Sequence, residues 1–376
     1  VGHSLVPILR NFQKKCDNGY GEYIHLGATT QDILDTGFMM SVKRGFEAVY
    51  RDALEAEEAV LDLVDRYADT VMAGRTHGQQ AIPITFGYKA AVWASELRRD
   101  IERMEDCRKR CFVGQLSGAV GSMAGFGENG REISRRVIEA LDLDVPDISW
   151  HVSRDRLAEI VSVLATLGCT FGKIGQEIVY LQGTETGEAA EGFVHGAVGS
   201  STMPHKRNPV ACAAILTAAQ RTPGLMATLY ASQLQQHERA LGGWQAEWET
   251  LPELIILVGG ALAQSEALVR DMQVFPQKMR ADLDITHGLI MAEAVTLALA
   301  EFIGKAEAHH HIEALCRQAL DRHCPLVDLL AADPQVSQYL SRERLTTLLD
   351  PATATGSAER FVRQVLARYQ EQRDES

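Results

Sequence analysis

No uninterrupted apolar run in this 376-residue chain approaches 18 residues, and no signal peptide, internal repeat or low-complexity tract is visible. A basic excess is also missing. Lysine and arginine total 37 against 50 aspartates and glutamates, a formal charge of −13, and the basic residues are scattered. That balance argues against a nucleic-acid partner, and an anionic substrate must be drawn in by local positive groups against the overall field. The seven cysteines make an odd count without a regular framework. Cys107 and Cys111 stand four apart in a charged helical pattern, where a zinc or redox role needs partners that the neighbouring sequence does not offer. Free thiols in a reducing compartment are the expectation, in a soluble, cytoplasmic chain with no membrane partner.

Proline is absent over long stretches: between Pro83 and Pro146, between Pro146 and Pro204, and between Pro276 and Pro325. Helices far longer than the globular mean fit there. Within Ile33–Tyr67, Phe38, Val42, Phe46, Val49, Ala53, Ala56, Val60, Val64 and Tyr67 recur at intervals of three and four. They form one apolar stripe on a helix of about nine turns, which buries that face against other long helices. Similar patterns predict helices at 84–112, 154–182, 209–239 and 251–272, with Pro223 and Pro252 kinking or starting helices. Alternating strand patterns are scarce. After Pro276 the segments shorten, broken by Pro325, Pro334 and Pro351, which predicts a separate helical C-terminal domain. The class is all-α. His309, His310 and His311 are consecutive, so on a helix they point about 100° apart and cannot all face one ion; a solvated face is predicted.

The densest chemistry lies in Gly199-Ser200-Ser201-Thr202-Met203-Pro204-His205-Lys206-Arg207-Asn208-Pro209, a run of hydroxyls, an imidazole, cations and an amide closed by prolines. Gly187, Gly192 and Gly196 precede it, and the run from Thr184 to Ser200 reads as a mobile loop. Such a loop, ending in cations and a helix start, suits closure over an anion, because positive groups and free backbone N–H groups converge there.

This run resembles the GSSxMPxKxNP signature of the fumarase/aspartase superfamily, in the branch that holds adenylosuccinate lyase and 3-carboxy-cis,cis-muconate cycloisomerase. Two further blocks match in the family's order: His25-Leu26-Gly27-Ala28-Thr29-Thr30-Gln31-Asp32 and Gly74-Arg75-Thr76-His77-Gly78-Gln79-Gln80-Ala81. The resemblance implies a long-helix bundle over 33–272, a smaller helical domain over 273–376, and in 1–32 the remnant of an N-terminal helical domain. It also implies a homotetramer whose sites are shared between subunits, a small-molecule carboxylate substrate, and no metal or organic cofactor.

In the implied reaction a proton leaves the carbon beside a carboxylate, and two negative charges gather on that group. Positive charge and N–H donors must surround it, with a base on one side and an acid on the other. By resemblance Ser200 is the base, its alkoxide held by loop N–H groups and a nearby cation. Lys206 and Asn208 match the carboxylate-holding lysine and asparagine. Ser201 reads either as a capping hydroxyl or as a secondary substrate contact. His77 matches the general acid of adenylosuccinate lyases, and an unperturbed pKa of about 6.5 suits that role. Arg75, Thr76, Gln79 and Met203 join the substrate-binding set within the matched blocks. Thr29 and Thr30 resemble carboxylate-binding hydroxyls, His25 opens their block, and His3 stands 22 residues earlier, near the spacing of another site histidine. Arg154 and Arg156 correspond to a segment that binds the substrate's far end, or form a surface ion-pair network. Gln236-His237-Glu238-Arg239 carries the same ambiguity.

Two departures matter. Adenylosuccinate lyases carry a glutamate 13 residues after the serine to pair with the acid histidine, and here that position is Ala213. Conversely, a histidine at position 77 departs from the bacterial cycloisomerases, which the second half of the chain resembles more. The first expectation is therefore a lyase that cleaves mainly C–N bonds in a succinyl-type substrate and releases fumarate. The alternative is the cycloisomerase, and a third is a catalytically silent helical scaffold.

Overall fold

The computed structural model describes residues 5–192, 200, 202–203 and 205–375. Its helices are α1 (Leu5–Gln13), α2 (Thr30–Arg66), α3 (Phe86–Cys111), α4 (Gly130–Ala140), α5 (Asp155–Gln182), α6 (Val210–Ser232), α7 (Gly243–Arg270) and α8 (Pro276–Asp282). Six more follow: α9 (Ala292–Ile303), α10 (Lys305–Arg322), α11 (Leu326–Ala332), α12 (Pro334–Ser337), α13 (Arg342–Leu348) and α14 (Ala358–Glu375). The fold is the all-α, long-helix bundle that the proline gaps predict. Sheet is confined to a hairpin, β1 (Val71–Thr76) with β2 (Gln79–Thr85), and a short pair, β3 (Ala189–Ala190) with β4 (Gln273–Val274).

The chain divides into two compact units. The first comprises Val1–Glu55, Leu97–Gly175 and Ala213–Ser265. In it, the predicted stripe of α2 is buried at Val42, Phe46, Val49 and Ala53. Close approach between helices depends on small residues: a Cβ at Gly45 would lie 2.8 Å from Ile255 of α7, and one at Gly172 of α5 only 2.4 Å from the Ala219 methyl of α6. The second unit comprises Ala56–Glu96, Gln176–Cys212 and Glu266–Ser376. One of its cores joins Val295 and Leu299 of α9 with Ile312 and Leu315 of α10, and with Leu326, Leu330, Val336 and Leu345.

Three features differ from the sequence expectations. The pattern over 209–239 is helical only to Ser232, and α7 begins at Gly243, before Pro252; both Pro223 and Pro252 lie within helices. No uninterrupted apolar run approaches 18 residues, yet α5 and α7 are long and apolar enough, by length and composition, to cross a membrane. For α5 the cause is core burial, since 72% of its apolar window is inside the protein. The third is the hairpin. His77 and Gly78 form its two-residue turn with φ of 51° and 76°, the left-handed pair of a type I′ turn. Gly74 sits at an irregularity in the register, and a Cβ there would lie 2.6 Å from the Ile82 carbonyl. Gly74→Ala is accordingly expected to destabilise the protein by about 1–3 kcal/mol, read from the urea midpoint, because strand backbone cannot retreat as a side chain can.

His311 bonds Asp333 at 2.9 Å, and Asp333 caps α12 through the N–H groups of Gln335 and Val336. His309 and His310 are exposed. The three imidazoles thus diverge around α10.

Candidate active site

In the first unit the 25–32 block is the N-terminus of α2. Asp32 accepts the Thr29 N–H at 2.9 Å, the reciprocal half of a capping box spelled Thr-x-x-Asp. It also accepts the N–H groups of Ser117 (3.0 Å) and Gly118 (2.9 Å) and bonds His151 Nε2 at 2.8 Å. Burial alone raises a carboxyl pKa, but the hydrogen bonds from His151, Thr29, Ser117 and Gly118 outweigh it and hold Asp32 below the ordinary carboxylate range. A carboxylate with a depressed folded pKa contributes stability above its unfolded pKa and loses it as pH falls through the folded value. Asp32→Asn should therefore destabilise by about 1–3 kcal/mol at neutral pH and flatten the acid limb of the stability–pH curve, since an amide cannot accept all four bonds. Denaturation midpoints from neutral pH down into the acid range check both effects.

Thr29 is buried, and its hydroxyl accepts a hydrogen bond from the Arg239 guanidinium. That contact puts a cation beside the hydroxyls that the family resemblance assigns to carboxylate binding. Thr30 is half-buried at the first position of α2. His25 has φ of 66°, and its Nε2 is buried without a hydrogen-bonding partner. Arg154 is neither a surface ion pair nor open to a ligand. Its guanidinium is buried between Asp35 (2.8 and 3.1 Å) and Glu247, with the Trp150 ring centroid at 4.8 Å. Asp35 also accepts Trp244 Nε1 at 2.8 Å. Burial and Asp35 push the Glu247 pKa up, against the pull of Arg154. Arg156 is half-buried and donates to the Arg110 carbonyl at 3.3 Å.

In the second unit the 74–81 block is the hairpin. Thr76, His77 and Gln79 are exposed at its tip, and among the described residues the His77 ring has no hydrogen-bonding partner. Arg75 turns the other way. It pairs with the fully buried Glu188 through two bonds of 2.7 and 2.8 Å, while Tyr180 lies 5.6 Å from its guanidinium. Burial disfavours its charge, but Glu188 more than compensates and raises the Arg75 pKa. Arg75 thus anchors the hairpin through its bidentate pair with Glu188.

The signature run is held at both ends. Gln182, the last residue of α5, accepts the Glu191 N–H at 2.9 Å and donates to the Arg207 carbonyl at 3.1 Å. The Glu191 carboxylate accepts the N–H groups of Ala211 (3.3 Å) and Cys212 (2.7 Å) at the start of α6. The Ala211 and Cys212 N–H groups at the helix start are therefore occupied by the chain's own anion. No local pattern announces the contact, which spans about twenty residues. Replacing Glu191 with alanine should destabilise by about 0.5–2 kcal/mol, the range for a lost cap, measurable by thermal denaturation.

Ser200 Oγ accepts the backbone N–H groups of Met203 (3.1 Å) and Thr202 (3.3 Å). Two donors aimed at one hydroxyl oxygen stabilise negative charge on it, which an alkoxide base requires. Met203, Lys206 and Asn208 are exposed, and the side chains of Lys206 and Asn208 have no hydrogen-bonding partner among the described residues. His3 and Ser201 lie outside those residues. The first unit therefore carries Thr29, Thr30 and Arg239, and the second carries His77, Ser200, Lys206 and Asn208.

The all-α long-helix bundle and the signature loop after α5 place the chain among the lyases. The chain belongs to the fumarate lyase superfamily: the family model described as "Lyase" matches residues 14–224, and "Adenylosuccinate lyase C-terminus" matches 288–365. It is 43% identical to a 3-carboxy-cis,cis-muconate cycloisomerase of Pseudomonas aeruginosa, over 98% of this chain and 81% of that protein. An N-acetyl-S-(2-succino)cysteine lyase of Dickeya dadantii is 39% identical, over 97% of this chain and 80% of that protein. The crystal structure of 3-carboxy-cis,cis-muconate lactonizing enzyme from Pseudomonas putida superposes with a TM-score of 0.92 at 39% identity, covering 98% of this chain and 83% of that one.

Proposed function

We propose that this chain is a cycloisomerase acting on a carboxylated diene of the 3-carboxy-cis,cis-muconate type. The observation that carries the reading is the 43% identity to the Pseudomonas aeruginosa cycloisomerase over nearly the whole chain. It supports the cycloisomerase, the alternative from the sequence, more than adenylosuccinate-type C–N cleavage, the first expectation. In the proposed reaction one substrate carboxylate adds to the β-carbon of an unsaturated acid. A C–O bond forms, the π electrons move onto the second carboxylate, and the α-carbon then takes a proton. Ser200 O–H donates that proton in the forward direction, and its alkoxide removes it in reverse. Lys206 and Asn208 neutralise the doubly charged carboxylate, assisted by Thr29, Thr30 and Arg239.

Ala213 supports the choice. In a cycloisomerisation the leaving group stays attached as a carboxylate and needs no dedicated acid. His77, with no carboxylate at the motif position that would charge it, serves better as a binding group. The second reading is release of fumarate from a succinyl thioether or amine, favoured by the Dickeya relative and by the imidazole at the hairpin tip. Purified protein is expected to consume the diene absorbance of 3-carboxy-cis,cis-muconate. Fumarate formed from N-acetyl-S-(2-succino)cysteine, with the diene untouched, decides for the second reading.

The reading includes a homotetramer with sites completed between subunits and a reaction that requires no metal or organic cofactor. Its support is the exposed large apolar residues of the long helices, such as Ile256 of α7, which a second chain would cover. Mixing the inactive Ser200→Ala and Thr29→Val proteins under subunit exchange should restore up to about a quarter of wild-type activity, because random assembly leaves that share of two-chain sites intact. No recovery on mixing means that both groups come from one chain.

A further inference from the structure

Cys107 and Cys111 lie one turn apart on the same face of α3, and both are fully buried. The local sequence supplies no third ligand, but the fold does. Glu159 of α5 approaches the pair, and the two sulfurs and a Glu159 carboxylate oxygen all lie within 4.8 Å of one another. We propose that these three residues form a binding site for a thiophilic divalent cation of the Zn2+ class, clasping α3 to α5 within the first compact unit.

The geometry needs little change. Tetrahedral zinc with Zn–S bonds of about 2.3 Å sets sulfurs about 3.8 Å apart, so side-chain rotations of about 1 Å close the site. Charge also balances. Arg110 grips the Glu159 carboxylate through two N–H groups and leaves the other oxygen lone pairs available to a metal. Two thiolates and one carboxylate against a divalent ion leave one negative charge, which Arg110 cancels. Binding releases the two thiol protons to solvent. The Glu159 side chain is 29% exposed, so the fourth coordination position and the entry path lie on its side, where water can complete the tetrahedron.

The probe is Cd2+ titrated into the reduced full-length protein, in a background with Cys16, Cys169, Cys316 and Cys324 changed to serine. One equivalent should raise the ultraviolet thiolate-to-cadmium charge-transfer band and the thermal midpoint together. Cys111→Ser should abolish the band, and Glu159→Gln should weaken Cd2+ affinity about 10- to 100-fold, the range for losing a coordinating or supporting group. Zn2+ should compete the band away. Absence of a stoichiometric band, or a band unchanged in Cys111→Ser, overturns the proposal. If the buried serine prevents folding, Glu159→Gln decides: unchanged affinity in that folded variant overturns it equally.

Discussion

Ser200→Ala is expected to lower kcat at least about 100-fold, the lower end of a general acid–base contribution, with the circular dichroism spectrum unchanged. The Ser200 oxygen already receives two backbone N–H bonds, from Thr202 and Met203, so its environment favours negative charge before any substrate arrives. Alanine removes the hydroxyl assigned to proton exchange and leaves the exposed loop backbone free to rehydrate, so the folded state loses little. Steady-state kinetics on 3-carboxy-cis,cis-muconate, with the succinyl substrates as further arms, check it. An undiminished kcat takes Ser200 out of the chemistry. A protein inert on every arm before mutation favours the silent-scaffold alternative. Because Lys206 is expected to act on the doubly charged intermediate, Lys206→Met should lower kcat further than it raises KM.

Arg154→Met is expected to destabilise the protein by about 3–5 kcal/mol, the range for breaking a buried ion pair by deleting one partner. The guanidinium is the cation between Asp35 and Glu247, and all three side chains are about 1% exposed. Without it two carboxylates share a buried site, and the upward pressure on the Glu247 pKa loses its opposing pull. Deleting one anion instead leaves Arg154 paired, so Glu247→Gln should lose markedly less. Urea denaturation of both variants gives the comparison, and an Arg154→Met midpoint equal to wild type removes the triad from the stability account. Arg154→Lys should not rescue fully, since an ammonium cannot reproduce two forked contacts to opposing carboxylates.

The same triad shows where sequence reading stops. Ser153-Arg154-Asp155-Arg156 offers two arginines that differ in no local respect, yet Arg154 is buried and Arg156 is half-exposed. What separates them is Asp35, 119 residues away, and Glu247, 93 residues away. Arg75 tells the same story. It sits inside a matched motif, and only the buried Glu188 reveals that its guanidinium also holds a structural ion pair. His77 and Gly78 lie between. Their dipeptide is compatible with a tight hairpin turn, but the strands show little alternation, because Met72, Ala73 and Gly74 are buried in succession and the register shifts there.

What the sequence determined by itself was periodicity and chemical type: long proline-free stretches with apolar residues every three or four positions make long helices, and a loop of hydroxyls, lysine and asparagine carries the family's signature. Both are local properties, carried by neighbouring residues. Tertiary structure alone decided which charged groups are free. Glu191 closes the α6 terminus, Glu188 holds Arg75, Asp35 and Glu247 hold Arg154, and Arg239 reaches Thr29. The physical reason is that a charge's role depends on the nearest opposite charge and on access to water, and both are set by residues that the fold brings from a distance.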